Sequence, residues 1–473
     1  MARPSTTSTP SNRNAVSAPS GATSGVSSPV RGDEAEALFA GLRASPRLAL
    51  AVSGGADSLA LFYLVHRWRQ ARDAGPELSV LTVDHGLRPE SAGEAAMVAA
   101  LAAKLGLPHR TLHWTDSAGG PGLQERARQA RYRLMAGFCH DNGIPALLTA
   151  HHLDDQAETV LMRLRRGSGL DGLAAIPAQG DWAGITIRRP LLDLPKARLQ
   201  ATLREAGIVW AEDASNQDSR FERVDLRQQG RALAALGLTP EALGRTARRL
   251  ARARDALEAE TGRFLADHLR IDPQAGAAGF AALSFAALRD APEEVALRAL
   301  SRLIAMIGGQ ERPVQLSKLE ALLAALKAEP GKTRTLGGCR LAPKQEDLRL
   351  FREIRRPGLP VIQLRPGDTA LWDNRFYVGL GSEAKRPVEV RALGKDGLLA
   401  AQEACPWLGA LPRAAGAALP SCWRNRRLVS VSCIGLEPPD GQKAPFFTAR
   451  FVHGPVRRAE LVEIPQTFAQ PPR

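Results

Sequence analysis

Six consecutive residues, Ser53-Gly54-Gly55-Ala56-Asp57-Ser58, put two hydroxyls, two glycines and a carboxylate into one short polar stretch. The apolar run before it, Arg47 to Val52, reads as a strand, and the run after it, from Leu59 to Trp68, has helical spacing. Glycines let a backbone come close to an oxyanion, and the N–H groups opening a helix point at that oxyanion with the positive end of the macrodipole behind them. Such a junction suits the grip of a polyphosphate. It is not a G-x-x-x-x-G-K-[ST] loop, because it holds no lysine to reach terminal phosphates, so backbone donors and the hydroxyls of Ser53 and Ser58 carry the expected contacts. A glycine turn between two buried elements is the plain alternative. The ordered S-G-G-x-D-S set at a strand-to-helix junction favours the nucleotide.

Two further polar clusters follow apolar strand-like runs: Asp84-His85-Gly86-Leu87-Arg88, and Ala150-His151-His152-Leu153-Asp154-Asp155-Gln156-Ala157-Glu158-Thr159. In a helix starting near Asp154, Asp155 and Glu158 share one face, and Asp154 by itself reads as an ordinary N-cap. Adjacent histidines among acids raise the question of a metal. The absence of a nearby cysteine or an H-x-x-x-H pair argues against dedicated zinc, leaving Mg²⁺ carried in with a nucleotide as the simpler expectation and no dedicated metal site. His152 reads as a packed strand-end histidine. The stretch Gln124 to Arg133 carries several arginines, ordinarily a solvated helix face, with Arg131 beside the aromatic Tyr132. Arg163-Leu164-Arg165-Arg166-Gly167-Ser168-Gly169 suits either a ligand loop or a simple helix stop.

The elements that must position these clusters alternate. Strands are expected at 47–53, 78–83, 109–114 and 146–150, with helices at 59–68, 94–105, 123–142 and 196–206, a βαβ repetition that predicts an α/β fold with a doubly wound parallel sheet. Ligands in such folds sit beyond the carboxyl ends of the strands, where all three clusters fall, so one site is expected. At 473 residues the chain should form more than one domain. Residues 1–32 are Ser, Thr, Pro, Gly and Ala with three arginines, which reads as a disordered tail; a transit peptide would need an amphipathic stripe that is not evident. Residues 33–227 form the expected catalytic domain and 228–330 a helical domain rich in Ala, Leu and Arg. The remainder, 331–473, is a small β-containing domain.

Lys+Arg of 63 against Asp+Glu of 49 gives a formal charge of +14, suited to a phosphate-rich partner, with nucleic acid the leading candidate and a merely solvated surface the alternative. The arginines from Arg245 to Arg254 fit either reading. Five scattered cysteines with no C-x-x-C pair point to a reducing compartment without a disulfide framework. No apolar run is long enough to span a bilayer, so a cytoplasmic protein without membrane partners is expected.

Taken in order, S-G-G-A-D-S, V-D-H-G-L-R, A-R-Y, H-H-L-D-D-Q-A-E-T, R-G-S-G-L-D-G-L, R-R-P-L-L and E-D-A-S-N-Q-D resemble the motifs of tRNA(Ile)-lysidine synthetases, of the PP-loop (N-type ATP pyrophosphatase, adenine nucleotide alpha hydrolase-like) group, over about 48–227. Ala214 stands where that family usually has proline, and Val224-Asp225 where an arginine-flanked asparagine is usual. The resemblance implies ATP-dependent ligation of free L-lysine to the wobble cytidine of a CAU-anticodon tRNA(Ile) through an adenylated intermediate, with tRNA also contacting the C-terminal region. A homodimer is left open. It implies ATP binding by Ser53, Gly54, Gly55, Ala56, Asp57 and Ser58, catalysis by Asp57, His151 and Asp155, and lysine binding by Arg131 and Glu158. A PP-loop tRNA thiolase would need sulfur-handling cysteines, an amidotransferase-type ligase a glutaminase or ammonia source, and an inactive nucleic-acid-binding relative would have no need of these acids.

Overall fold

The computed structural model describes residues 28–86, 90–115, 123–211, 226, 229–270, 279–310, 313–404, 408–409, 411–431 and 447–451. The chain divides into two units, residues 1–252 and 253–473.

In the first unit, α1 (Gly32–Phe39) leads into β1 (Arg47–Ala51), α2 (Ala56–Gln70), β2 (Glu77–Asp84), α3 (Glu90–Lys104), β3 (His109–His113), α4 (Leu123–Asp141) and β4 (Ala146–Leu148). Then come α5 (Leu153–Arg165), α6 (Leu170–Leu173), β5 (Gln179–Trp182), β6 (Ile185–Arg188) and α7 (Lys196–Glu205). The sheet runs β3-β2-β1-β4-β6-β5, parallel throughout except for the β5–β6 pair. It is doubly wound, as expected. Successive residues of β1 show why both faces are covered: Leu48 and Leu50 pack into one core with α1, α2 and α7, while Ala49 packs into another with Tyr132, Met135 and Cys139 of α4.

Two details differ from the sequence reading. The β5–β6 hairpin was not expected; its two-residue turn puts Ala183 and Gly184 at φ 51° and 82°, without the Asn-Gly pair that marks such turns. At the other end, Val30 is buried and its N–H donates to Thr202 Oγ1 at 2.9 Å, so ordered packing begins before the boundary expected at 32.

The helix Pro240–His268 runs from the first unit into the second. In the second unit, β7 (Leu269–Arg270), β8 (Ala281–Ser284), β9 (Arg334–Leu336), β10 (Cys339–Lys344) and β11 (Asp347–Arg352) form one sheet in the order β7-β8-β11-β10-β9. Its core joins Leu300 and Ile304 of the helix Glu293–Gly308 to Leu341 and Leu350 of the sheet. The boundary expected at 330 therefore falls inside a domain: β8 pairs with β11 across it. Two smaller sheets complete the unit, β12 (Ile362–Leu364) with β15 (Val388–Ala392), β16 (Pro420–Arg424) and β17 (Arg427–Val431), and β13 (Thr369–Trp372) with β14 (Phe376–Leu380) and β18 (Phe447–Phe451). No described helix is long and apolar enough to cross a membrane.

Candidate active site

The carboxyl ends of β1, β2 and β4 open onto a cavity of about 540 Å³, lined by Ser53, Gly55, Ala56, Asp57, Ser58, His85, Arg131, His151, Asp155 and Lys196. That volume is in the range of nucleotide and small-molecule sites. The three clusters of the sequence thus meet in one place.

The loop after β1 is held by its own hydroxyls. Ser58 Oγ donates to the Gly55 carbonyl at 3.0 Å and accepts from the Ser53 N–H at 3.1 Å, with Ser53 Oγ 3.3 Å away. Ser58 is therefore a brace for the loop as well as part of the wall. Gly54 has φ +90°, a conformation that favours glycine, and a Cβ there would come within 3.2 Å of Met97 Cε. The first helical bond of α2 runs from Leu59 N–H to Gly55 O, and no side chain caps the turn, so the N–H groups of Ala56, Asp57 and Ser58 have no partner within the helix. Such a helix start accepts an anion.

At the start of α5, the N-cap is His152, and Asp155 Oδ2 accepts the His152 N–H at 3.0 Å. Asp154, expected as the cap, instead accepts the backbone N–H of Lys196 at 2.9 Å, so it caps α7 rather than its own helix. His152 is also more than a packed strand-end residue. Its side chain is 2% exposed and set among three carboxylates: Nε2 lies 3.4 Å from Asp57 Oδ2 and 3.5 Å from Asp155 Oδ2, and Nδ1 lies 3.5 Å from Asp154 Oδ2. Burial opposes a charge on this ring, but hydrogen bonding to Asp154 and Asp57 and the field of Asp155 overcome it and push its pKa up to about 10. The surrounding carboxylates thus favour the protonated ring. Burial likewise pushes the Asp57 carboxyl up, yet His152 and Lys196 outweigh it and hold the group below the usual carboxylate range.

Lys196, the first residue of α7, is a wall residue that the sequence reading did not single out. Its Nζ lies 3.2 Å from Asp57 Oδ2. The other oxygen, Asp57 Oδ1, is buried with no hydrogen-bond partner among the described residues. An unpaired, hard carboxylate oxygen beside a phosphate loop, with Asp155 on the same wall, fits Mg²⁺ arriving with a nucleotide. No cluster of three or more metal-ligating side chains occurs among the described residues.

Of the remaining expected residues, His151 lies on the wall with Nδ1 3.1 Å from Thr149 Oγ1. Arg131, an exposed residue of α4, is on the wall too. Glu158 is not among the lining residues; it is buried one turn along α5 from Asp155. Arg163 serves the structure, donating to the carbonyls of Gly172 and Ala175, which favours the helix-stop reading of its loop. The E-D-A-S-N-Q-D segment with Ala214, and Val224-Asp225, lie outside the described residues. The described cysteines, Cys139, Cys339 and Cys422, are buried, and none lines the cavity.

Residues 32–231 match the PP-loop domain family. Among relatives, a tRNA(Ile)-lysidine synthase of Bradyrhizobium diazoefficiens is 50% identical over 304 residues, covering 63% of this chain and 83% of its own. A tRNA(Ile)-lysidine synthase of Ruegeria pomeroyi is 41% identical over 392 residues, covering 82% of this chain and 89% of its own. With relatives 41% and 50% identical and matched over most of their own length, the chain belongs to the tRNA(Ile)-lysidine synthase family.

Proposed function

We propose that the cavity ligates free L-lysine to C2 of the wobble cytidine of a CAU-anticodon tRNA(Ile), consuming ATP and releasing AMP and pyrophosphate. The observation that carries this reading is the meeting of the phosphate loop, Asp155 of α5 and Arg131 on one wall. In the first step the cytidine C2 oxygen bonds to the α-phosphorus and pyrophosphate leaves. The N–H groups that open α2 receive the phosphates, Asp57 would hold the Mg²⁺ that arrives with the nucleotide, and His151, on the same wall, steadies the charge that develops on the α-phosphoryl group. Bound Mg²⁺ would supply charge neutralisation of the triphosphate.

In the second step the lysine ε-amine attacks C2 and AMP leaves. Lysine arrives as an ammonium and must lose a proton to become a nucleophile, which calls for carboxylates. Asp155 at the wall, with Glu158 one turn behind it, takes that role. Arg131 pairs with the lysine α-carboxylate through its planar fork. ATP, lysine and tRNA meet in the cytoplasm, where we place the activity. The test is transfer of labelled lysine to a tRNA(Ile) transcript bearing the CAU anticodon. Incorporation that ceases when the wobble cytidine is replaced by uridine supports the reading, and incorporation indifferent to that change contradicts it.

A further inference from the structure

The phosphate loop has no lysine of its own, yet α7 brings one to it from 139 positions away in sequence. Lys196 sits at the first position of α7, where a cation opposes the helix dipole. Its backbone is fixed by the N–H bond to Asp154 Oδ2, and its ammonium rests against Asp57 Oδ2 on the wall shared with Ser53, Gly55 and Ser58. Two basic side chains therefore face one carboxylate oxygen, since His152 Nε2 is 3.4 Å from the same Asp57 Oδ2. They differ in freedom. The His152 side chain is 2% exposed and caged, whereas the Lys196 side chain is 34% exposed on a four-carbon stem.

We infer that Lys196 is the pyrophosphate-binding cation of this site. On this account, which rests on the reading of the cavity as an ATP site, the Lys196 ammonium exchanges Asp57 for the β- and γ-phosphoryl oxygens when ATP binds. The exchange leaves Asp57 to the nucleotide's Mg²⁺, with His152 Nε2 still beside Asp57 Oδ2. During adenylation the cytidine oxygen forms its bond to the α-phosphorus while the bond from that phosphorus to the α–β bridging oxygen breaks. The electron pair stays on pyrophosphate, and the Lys196 ammonium neutralises part of that charge. The loop thus obtains from α7 the positive group that its own sequence lacks.

Calorimetric binding of inorganic pyrophosphate, ATP and AMP, at fixed Mg²⁺, to the full chain, Lys196→Met and Lys196→Arg tests this. Lys196→Met should weaken pyrophosphate and ATP by about tenfold or more, the usual worth of a charge-assisted hydrogen bond, and leave AMP within about twofold. Lys196→Arg should recover most of the loss. Unchanged pyrophosphate affinity in Lys196→Met, or an equal loss for AMP and pyrophosphate, overturns the inference while the ATP site stands. Failure of the unaltered protein to bind either ATP or pyrophosphate overturns both.

Discussion

His152 Nε2 lies 3.4 Å from Asp57 Oδ2, an ion pair that ties the start of α5 to the start of α2 beneath the phosphate loop. The carboxylates at these two helix starts also suit the positive ends of the dipoles. The loop and the acid cluster are therefore one electrostatic unit.

This pair makes stability depend on pH. The His152 pKa is raised in the folded chain, from 6.5 to about 10, so its contribution is fully present below 6.5 and is lost as pH rises through about 10. Asp57 and Asp154 are lowered, so theirs is present above the ordinary carboxylate pKa and lost as pH falls from there through the lowered folded values. Urea unfolding of the metal-free protein should show a decline between pH 7 and 10 that is weaker in His152→Gln. Parallel curves for the two proteins would refute the charged state of the ring.

Arg131→Ala should raise the lysine concentration for half-maximal rate by about tenfold or more, if the carboxylate pair contributes the usual 1.5–3 kcal/mol of a charged hydrogen bond. Adenylation of tRNA without lysine should be largely intact, and Arg131→Lys should rescue only in part because a point charge lacks the fork geometry. An unchanged lysine requirement would remove Arg131 from the site.

Because Glu158 lies behind the wall, Glu158→Gln should raise the lysine requirement less than Arg131→Ala does. A larger effect from Glu158→Gln, with folding intact by circular dichroism, would place that carboxylate in direct contact with the substrate.

Binding of tRNA should weaken log-linearly with salt, whereas lysine binding should change far less. Arg245, Arg249 and Arg252 are exposed on the helix Pro240–His268, while Arg248 pairs with Asp193. Replacing the three exposed arginines by glutamine should lower the salt slope of tRNA binding, measured by filter retention. An unaltered slope would mark them as solvated surface.

Much of the first unit was legible because strand and helix periods switch cleanly, and β1 to β4 with α2 to α5 fall where the apolar runs place them. The clusters at the strand ends were legible for the same reason. Lys196 was not, because its pairing with Asp57 is made by the order of the sheet and no local spacing records it. The available signal was a cation at a helix start, where the dipole disfavours one without a partner. His152 looked bland because its charge comes from carboxylates that only the fold assembles. In the second unit, Ala281-Ala282-Leu283-Ser284 has the composition of a helix, and pairing with β11 overrides that preference.

In the proposed reaction ATP is cleaved between its α and β phosphates to activate tRNA for lysine. Turnover of ATP labelled at the α and γ positions, with tRNA(Ile) and lysine, measures it most directly. AMP and pyrophosphate should form in step with lysine transfer, and Asp57→Ala should suppress both. Release of ADP and orthophosphate, or near-normal AMP formation by Asp57→Ala, would contradict the account.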